Sequence, residues 1–309
     1  MHNLGGLKLK NRFILAPLHG VNCLAFRLLC KEYGAGLVST PMIHVNWIVK
    51  EGGMPPDIEL SKPERPVMVQ LVGSDAKLMR KAAEIVEPYA DVIDINCGCP
   101  VFDAVKLGMG GYLMKRPETI GKMVSAVCSA TNKPVTAKIR SGWDGKHLNF
   151  LGVGKMVEDN GASGITLHAR TVKQGYSGVA DWNSIKMLKD RLNIKVIGNG
   201  DAMDGKLARK MIDDTNCDFV MIGRGAMGYP FIFRECLDEK YRPTIDERKD
   251  CVTKFMKLYE SKQKHHNFSE LRQHMMWMLK GLHGASRLRA QLTSVKDIEA
   301  LKSSLKEFF

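Results

Sequence analysis

Eight short runs of β-branched and aliphatic residues recur between residues 12 and 223, each bounded by Gly, Pro or Asp. No other feature restricts the fold as strongly. The runs stand at 12–16, 36–40, 66–72, 91–96, 134–139, 164–168, 195–199 and 218–223. Runs this apolar fit strands buried on both faces of a parallel sheet. Helical periodicity fills most intervals, as at 76–89, 117–130, 182–192 and 205–215, with Pro117 and Asp181 where a first-turn proline and an N-cap belong. The Pro- and Gly-rich interval 46–62 predicts a loop. Eight strands with crossover helices predict an α/β chain folded as a (β/α)8 TIM barrel, with its site at the C-terminal ends of the strands. An open doubly wound sheet is the alternative. It wants a Gly-x-Gly-x-x-Gly turn after the first strand, and Ala16-Pro17-Leu18 stands there instead.

Beyond residue 240 no strand-like run follows; 246–262, 267–283 and 295–308 read as helices. The expected organisation is therefore a barrel over 1–240 and a C-terminal all-helical domain over 241–309. The chain carries 46 Lys and Arg against 33 Asp and Glu, a net charge of +13. Of that, 14 basic and 8 acidic residues lie in 241–309, with four of the nine histidines. This excess favours a polyanionic partner, nucleic acid before membrane, because no segment reads as a basic amphipathic anchor. No apolar run approaches the roughly 18 residues of a membrane span, and the first residues lack the charged-then-apolar layout of a secretory signal. Eight cysteines without disulfide-framework spacing predict reduced thiols and a cytoplasmic protein.

Function must be read from the strand ends. Gly198-Asn199-Gly200-Asp201 closes the seventh strand and Gly223-Arg224-Gly225 the eighth, the two places where barrels of this kind hold phosphate. Gln70, Asn96, Lys138, Arg140, His168 and Arg170 interrupt or follow apolar strands, and a mid-strand lysine is costly to bury without an anion or acceptor. Together these donors suit an anionic, planar cofactor such as flavin mononucleotide (FMN). Cys97 and Cys99 follow the fourth strand; a thiol over a cofactor can act as nucleophile or general acid. No further ligands at zinc spacing accompany them, so the expectation is no metal.

These residues stand in an order that resembles the tRNA-dihydrouridine synthases. The match runs through Ala16-Pro17-Leu18, Gly20-Val21, Arg27, Val69-Gln70-Leu71, Asp94-Ile95-Asn96-Cys97-Gly98-Cys99-Pro100 and Gly110-Gly111. It continues through Lys138-Ile139-Arg140, Leu167-His168-Ala169-Arg170-Thr171, Asp181-Trp182, Asn199-Gly200-Asp201 and Gly223-Arg224-Gly225-Ala226-Met227-Gly228. In the tail it takes in Arg272, His274, Lys280-Gly281, Gly284-Ala285 and Arg287-Leu288-Arg289. The resemblance implies an FMN enzyme, recharged by NADPH, that reduces C5=C6 of tRNA uridines to 5,6-dihydrouridine. Ala16, Pro17 and Leu18 would line the flavin; Gln70, Lys138 and His168 would bind it. Asn199, Gly200, Asp201, Gly223 and Arg224 would hold its ribityl chain and phosphate. Cys99 would be the proton donor. Asn96 and Arg140 would meet the uracil, and Arg170, Arg272, Lys280, Arg287 and Arg289 would belong to the surface that takes the tRNA substrate. The chain departs from the family at Leu18, commonly Met, and at Asn22-Cys23, commonly Thr-Asp, which leaves the first helix without a usual cap. The competing readings are an FMN barrel acting on a small molecule and a catalytically idle RNA-binding barrel.

Overall fold

The computed structural model describes residues 2–308. All eight expected strands form, within a few residues of their predicted bounds, after a short antiparallel hairpin, β1 (His2–Leu4) and β2 (Leu7–Leu9). They are β3 (Phe13–Leu15), β4 (Val38–His44), β5 (Val67–Val72), β6 (Val92–Cys97), β7 (Val135–Arg140), β8 (Gly164–His168), β9 (Lys195–Asn199) and β10 (Phe219–Ile222). All run parallel; β10 pairs with β3, and each strand from β5 to β9 pairs with both its chain neighbours. The barrel closes where β3 meets the segment before β4. There Ile14 bridges to Leu37, Leu15 N donates to Leu37 O at 2.9 Å and Gly36 N to Phe13 O at 2.8 Å.

Alternation along each strand sorts the side chains into two cores. Val69, Leu71, Ile93, Ile95, Ala137, Ile139, Ile165 and Leu167 face outward and pack beneath the helices. Ile14, Met68, Val92, Ile197 and Phe219 face inward as a separate cluster, and the hairpin's Leu4 and Leu9 pack against them. The hairpin, unsuspected from the sequence, thus stoppers one end of the barrel. Its turn uses Gly5 and Gly6 at φ 57° and 94°, a left-handed path that favours glycine. Further along the strands the inward positions become polar, which is the first sign of a site.

Around the sheet lie α1 (Leu24–Glu32), α2 (Val45–Glu51), α3 (Ala76–Val86), α4 (Phe102–Lys106), α5 (Pro117–Cys128), α6 (Phe150–Asp159), α7 (Trp182–Arg191), α8 (Gly205–Thr215) and α9 (Ile232–Leu237). The interval expected as loop contains α2, started by His44 Nδ1 accepting from Asn46 N at 3.1 Å and stopped by left-handed Gly52. The tail has four helices rather than three: α10 (Ile245–Lys262), α11 (Phe268–Met278), α12 (Ala285–Leu292) and α13 (Ile298–Phe308). Gly281 and Gly284, at φ 79° and 74°, end the second predicted helix early, and α12 starts beyond them. Among the described residues no helix is long and apolar enough to cross a membrane.

The start of α1 is capped from a distance. Cys23 makes no side-chain cap, but Leu24 N donates to Gln263 Oε1 and Asn22 N to Glu270 Oε1, each at 3.1 Å. Inside the same seam Arg27 is buried: Nε meets Glu64 Oε2 at 2.6 Å, Nη1 donates to Asn22 O at 2.7 Å and Nη2 to Glu59 O. Removing one partner of a buried pair leaves the other charge uncompensated and costs about 3–5 kcal/mol. Glu64→Gln is expected to lower stability by that order in urea unfolding, while Glu84→Gln in the exposed Arg80–Glu84 pair leaves the midpoint unchanged.

Candidate active site

The inward polar positions converge at the C-terminal mouth of the barrel, where the register sets them side by side. Gln70 stands beside Asp94, Asn96 beside Lys138, Arg140 beside His168, and His168 beside Asn199. Above them opens a trough of two lobes. Both lobes share Pro17, Lys138, His168 and Tyr176. The first continues over Ala16, Leu18, Asn199, Gly200, Asp201, Gly223 and Arg224. The second continues over His19, Met42, Gln70, Asn96, Cys99, Pro100 and Arg140.

The shared floor is a set of donors short of partners. Lys138 Nζ donates to a neutral amide, Asn199 Oδ1 at 3.1 Å, and Asn199 Nδ2 is held by Met221 O at 2.7 Å. Burial, with Arg140 adding repulsion, pulls the Lys138 ammonium down to about 8. An anion in the first lobe would reverse that cost. His168 is buried and its Nε2 has no hydrogen-bond partner. Burial first, then the charges of Lys138, Arg140, Arg170 and Arg224, push its pKa far down, so the ring is neutral. A buried unpartnered ring nitrogen lining a cavity is a position for a ligand atom. Glycine is required at 200, at φ 124°, where a Cβ would lie 2.7 Å from Ala180 Cβ and 3.3 Å from His168 Cδ2.

Beneath the second lobe runs a closed amide–carboxyl relay. Thr136 Oγ1 and Gln70 Nε2 donate to Asp94 at 2.5 and 2.6 Å, and Asn96 Nδ2 donates to Gln70 Oε1 at 2.8 Å. Burial raises the Asp94 carboxyl to about 6 against those bonds. Asn96 Oδ1 then accepts from the backbone N–H groups of Gly98 and Cys99 at 3.1 and 3.0 Å, which fixes the turn carrying the thiol. Gly111 N donates to Cys99 O at 2.8 Å, an approach open only to glycine, since a Cβ there would sit 2.9 Å from that oxygen. Cys97, the last residue of β6, is wholly buried in the outer core, whereas Cys99, beyond the strand in the turn, lines the trough.

The two arginines differ. Arg140 lines the second lobe while Nε and Nη1 bind the carbonyls of Gly98, Thr171 and Gly175 at 2.7–2.9 Å. Arg170 does not line the trough. It is buried, with Nε on Ser177 O at 3.0 Å and Nη2 on Gly178 O and both Asp201 carboxylate oxygens at 2.6–2.8 Å. In the structure it clamps the loop 171–181 to Asp201. Asp201 lines the first lobe at φ 56°, but its carboxylate is engaged by Arg170 and Arg224, the latter at 2.9 Å.

Tyr176 was missed. It rides at the crest of the loop that Arg140 and Arg170 hold, 59% exposed, its ring 6.1 Å from His168 and 5.1 Å from the Arg224 guanidinium carbon. An aromatic residue in Gln174-Gly175-Tyr176-Ser177-Gly178 was the available signal. In the tail, Lys280 and Arg287 are exposed, while Arg272 and Arg289 are half-buried. Among the described residues Cys23, Glu270 and His274 bring three possible ligand atoms within 4.8 Å of one another.

With this geometry in hand, comparison with known proteins is decisive. Residues 14–309 match the family model described as dihydrouridine synthase. The chain belongs to the dihydrouridine synthase family. It is 33% identical over 310 residues to a probable tRNA-dihydrouridine synthase 1 of Synechocystis, covering 98% of this chain and 87% of that protein. It is 36% identical over 285 residues to tRNA-dihydrouridine synthase B of Shewanella oneidensis, covering 89% and 88%. Among solved structures, histamine dehydrogenase from Rhizobium sp. 4-9 superposes with TM-score 0.58 at 17% identity, over 83% of this chain and 50% of that one. The chain thus spans half the length of that enzyme. An old yellow enzyme homologue from Zymomonas mobilis superposes with TM-score 0.54 at 13% identity, over 79% and 94%. These two likenesses establish the barrel architecture of the family member.

Proposed function

We propose that the protein reduces C5=C6 of uridines in tRNA to 5,6-dihydrouridine, with FMN as cofactor and NADPH as reductant. The observation that carries the reading is the two-lobed trough. One lobe presents the unpartnered Nε2 of His168 and the buried Lys138; the other presents Cys99 across the shared floor. FMN fits the first lobe because its donor set is cationic and neutral-polar over an apolar base of Ala16, Pro17 and Leu18. In this reading Lys138 and His168 hold the flavin ring, whose edge reaches across the shared floor to Gln70 in the second lobe, and Asn199, Gly200, Asp201, Gly223 and Arg224 hold the ribityl chain and phosphate. Arg224 supplies the phosphate's cation, while Asp201 keeps the Arg224 guanidinium in position. Bound there and recharged by NADPH, FMN would supply hydride chemistry at C6 of the uracil.

The chain's own work is orientation and one proton. Cys99 Sγ gives its proton to C5 and regains one from solvent, so the double bond gains one hydride and one proton. Asn96, through its two backbone bonds, keeps Cys99 over the floor, and Arg140 lines the uracil side of the lobe. Tyr176 closes the trough from above, beside the base once it has left its stack. Residues 1–240 form the catalytic barrel and 241–309 the tRNA-binding domain. Arg272, Lys280, Arg287 and Arg289 are its cations for the RNA backbone.

Cys99→Ala is expected to retain flavin, read from its visible spectrum, and to lose dihydrouridine formation by roughly 10² to 10⁴-fold, the range for a placed acid. Cys97→Ala, in the outer core, keeps turnover within a few fold of the parent. Equal losses from both, or full turnover in Cys99→Ala, would remove the assignment. Lys280→Ala with Arg287→Ala is expected to raise the tRNA Kd and flatten its salt dependence by about one unit per lost phosphate contact. Flavin content stays unchanged; an unaltered Kd and salt slope would put the RNA surface elsewhere.

A further inference from the structure

We infer that Cys23, Glu270 and His274 form a Zn2+ site at the seam between the first barrel helix and the tail. The three side chains come from two elements more than 240 residues apart in sequence. Cys23 is the N-cap position of α1, and Glu270 and His274 lie one turn apart on α11, so they share a face. Their sulfur, oxygen and nitrogen atoms all lie within 4.8 Å of one another, and Cys23 Sγ stands 3.6 Å from His274 Nε2. A tetrahedral ion with Zn–S of about 2.3 Å and Zn–N of about 2.0–2.1 Å spans an S···N edge of about 3.6 Å.

The chemistry of the seam agrees with a soft-to-borderline divalent ion. His274 is wholly buried, its ring held between Phe26 and Phe255 at centroid distances of 5.0 and 4.9 Å. Its Nε2 faces Cys23 Sγ, and its Nδ1 has no hydrogen-bond partner. A doubly charged ion with one thiolate and one carboxylate sums to zero, which is the arrangement a low-dielectric seam tolerates. Binding displaces the thiol proton. Cys23, Glu270 and His274 supply three ligands, which leaves the fourth position of the tetrahedron open.

Such an ion would clamp the tail to the mouth of the barrel. Asn22 N already bonds Glu270 Oε1, and Asn22 Nδ2 donates to Ser39 O at 2.9 Å, on β4. Because a structural ion binds the folded seam and not the unfolded chain, its binding free energy adds to stability.

The test uses the full chain purified from zinc-supplemented cells without chelator. Elemental analysis is expected to find on the order of one zinc per chain, and Co2+ exchange to give a thiolate-to-metal charge-transfer band. Cys23→Ser and His274→Gln should each lose the band and weaken binding at least about 100-fold, while Cys128→Ser, outside the cluster, keeps both. Chelation should lower Tm and added Zn2+ restore it. Wild-type protein with less than about a tenth of a zinc per chain and no cobalt band would overturn the site, leaving a thiol–imidazole hydrogen bond. Full zinc retention in Cys23→Ser and His274→Gln would overturn it equally. The wild-type readings decide the matter even where a variant fails to fold.

Discussion

A closed barrel of parallel strands turns every second residue inward, and the account rests on what occupies those positions. Near the hairpin they are Ile14, Met68, Val92, Ile197 and Phe219, an apolar plug that no ligand enters. Toward the mouth they become Gln70, Asp94, Asn96, Lys138, Arg140, His168 and Asn199. Burying so many polar groups in a core would be costly without mutual satisfaction. On the Asp94 side they satisfy one another, from Thr136 to the backbone of Cys99. On the His168 side they do not, and the unmet capacity there is what makes the first lobe a binding surface rather than a packed core.

The same division explains why one lobe is suited to hold and the other to react. The relay through Asp94, Gln70 and Asn96 has little freedom, so it serves to fix the turn of Cys99. Arg140 and Arg170 each bond two carbonyls of the loop 171–181 and so carry Tyr176 over the trough. Rigid support beneath a reacting group is what orientation requires, since small misplacements cost rate steeply.

Much of this was legible in the sequence, for physical reasons. Strands buried on both faces cannot alternate in polarity, so a polar residue at the C-terminal end of one stands out; Gln70, Asn96, Lys138 and His168 were visible on that ground. Arg170 looked the same and lies elsewhere, because its direction is set by loop carbonyls that no strand pattern encodes. Tyr176 was hidden for the related reason that its loop owes its shape to two arginines on the barrel. The hairpin was too short to announce itself, and the split of the second tail helix depended on two left-handed glycines read as interior residues. The seam of Cys23, Glu270 and His274 was out of reach, since it joins segments that only the docked tail brings together.

The central claim is that the two lobes act as one site on an RNA uracil, and anaerobic reoxidation tests it most directly. Protein reduced with NADPH is mixed with unmodified tRNA transcript, and separately with a small cyclic enone. The account predicts that the oxidised flavin absorption returns rapidly with the transcript, one flavin for each dihydrouridine formed, and slowly with the enone. Rapid return with the enone and none with the transcript would contradict it.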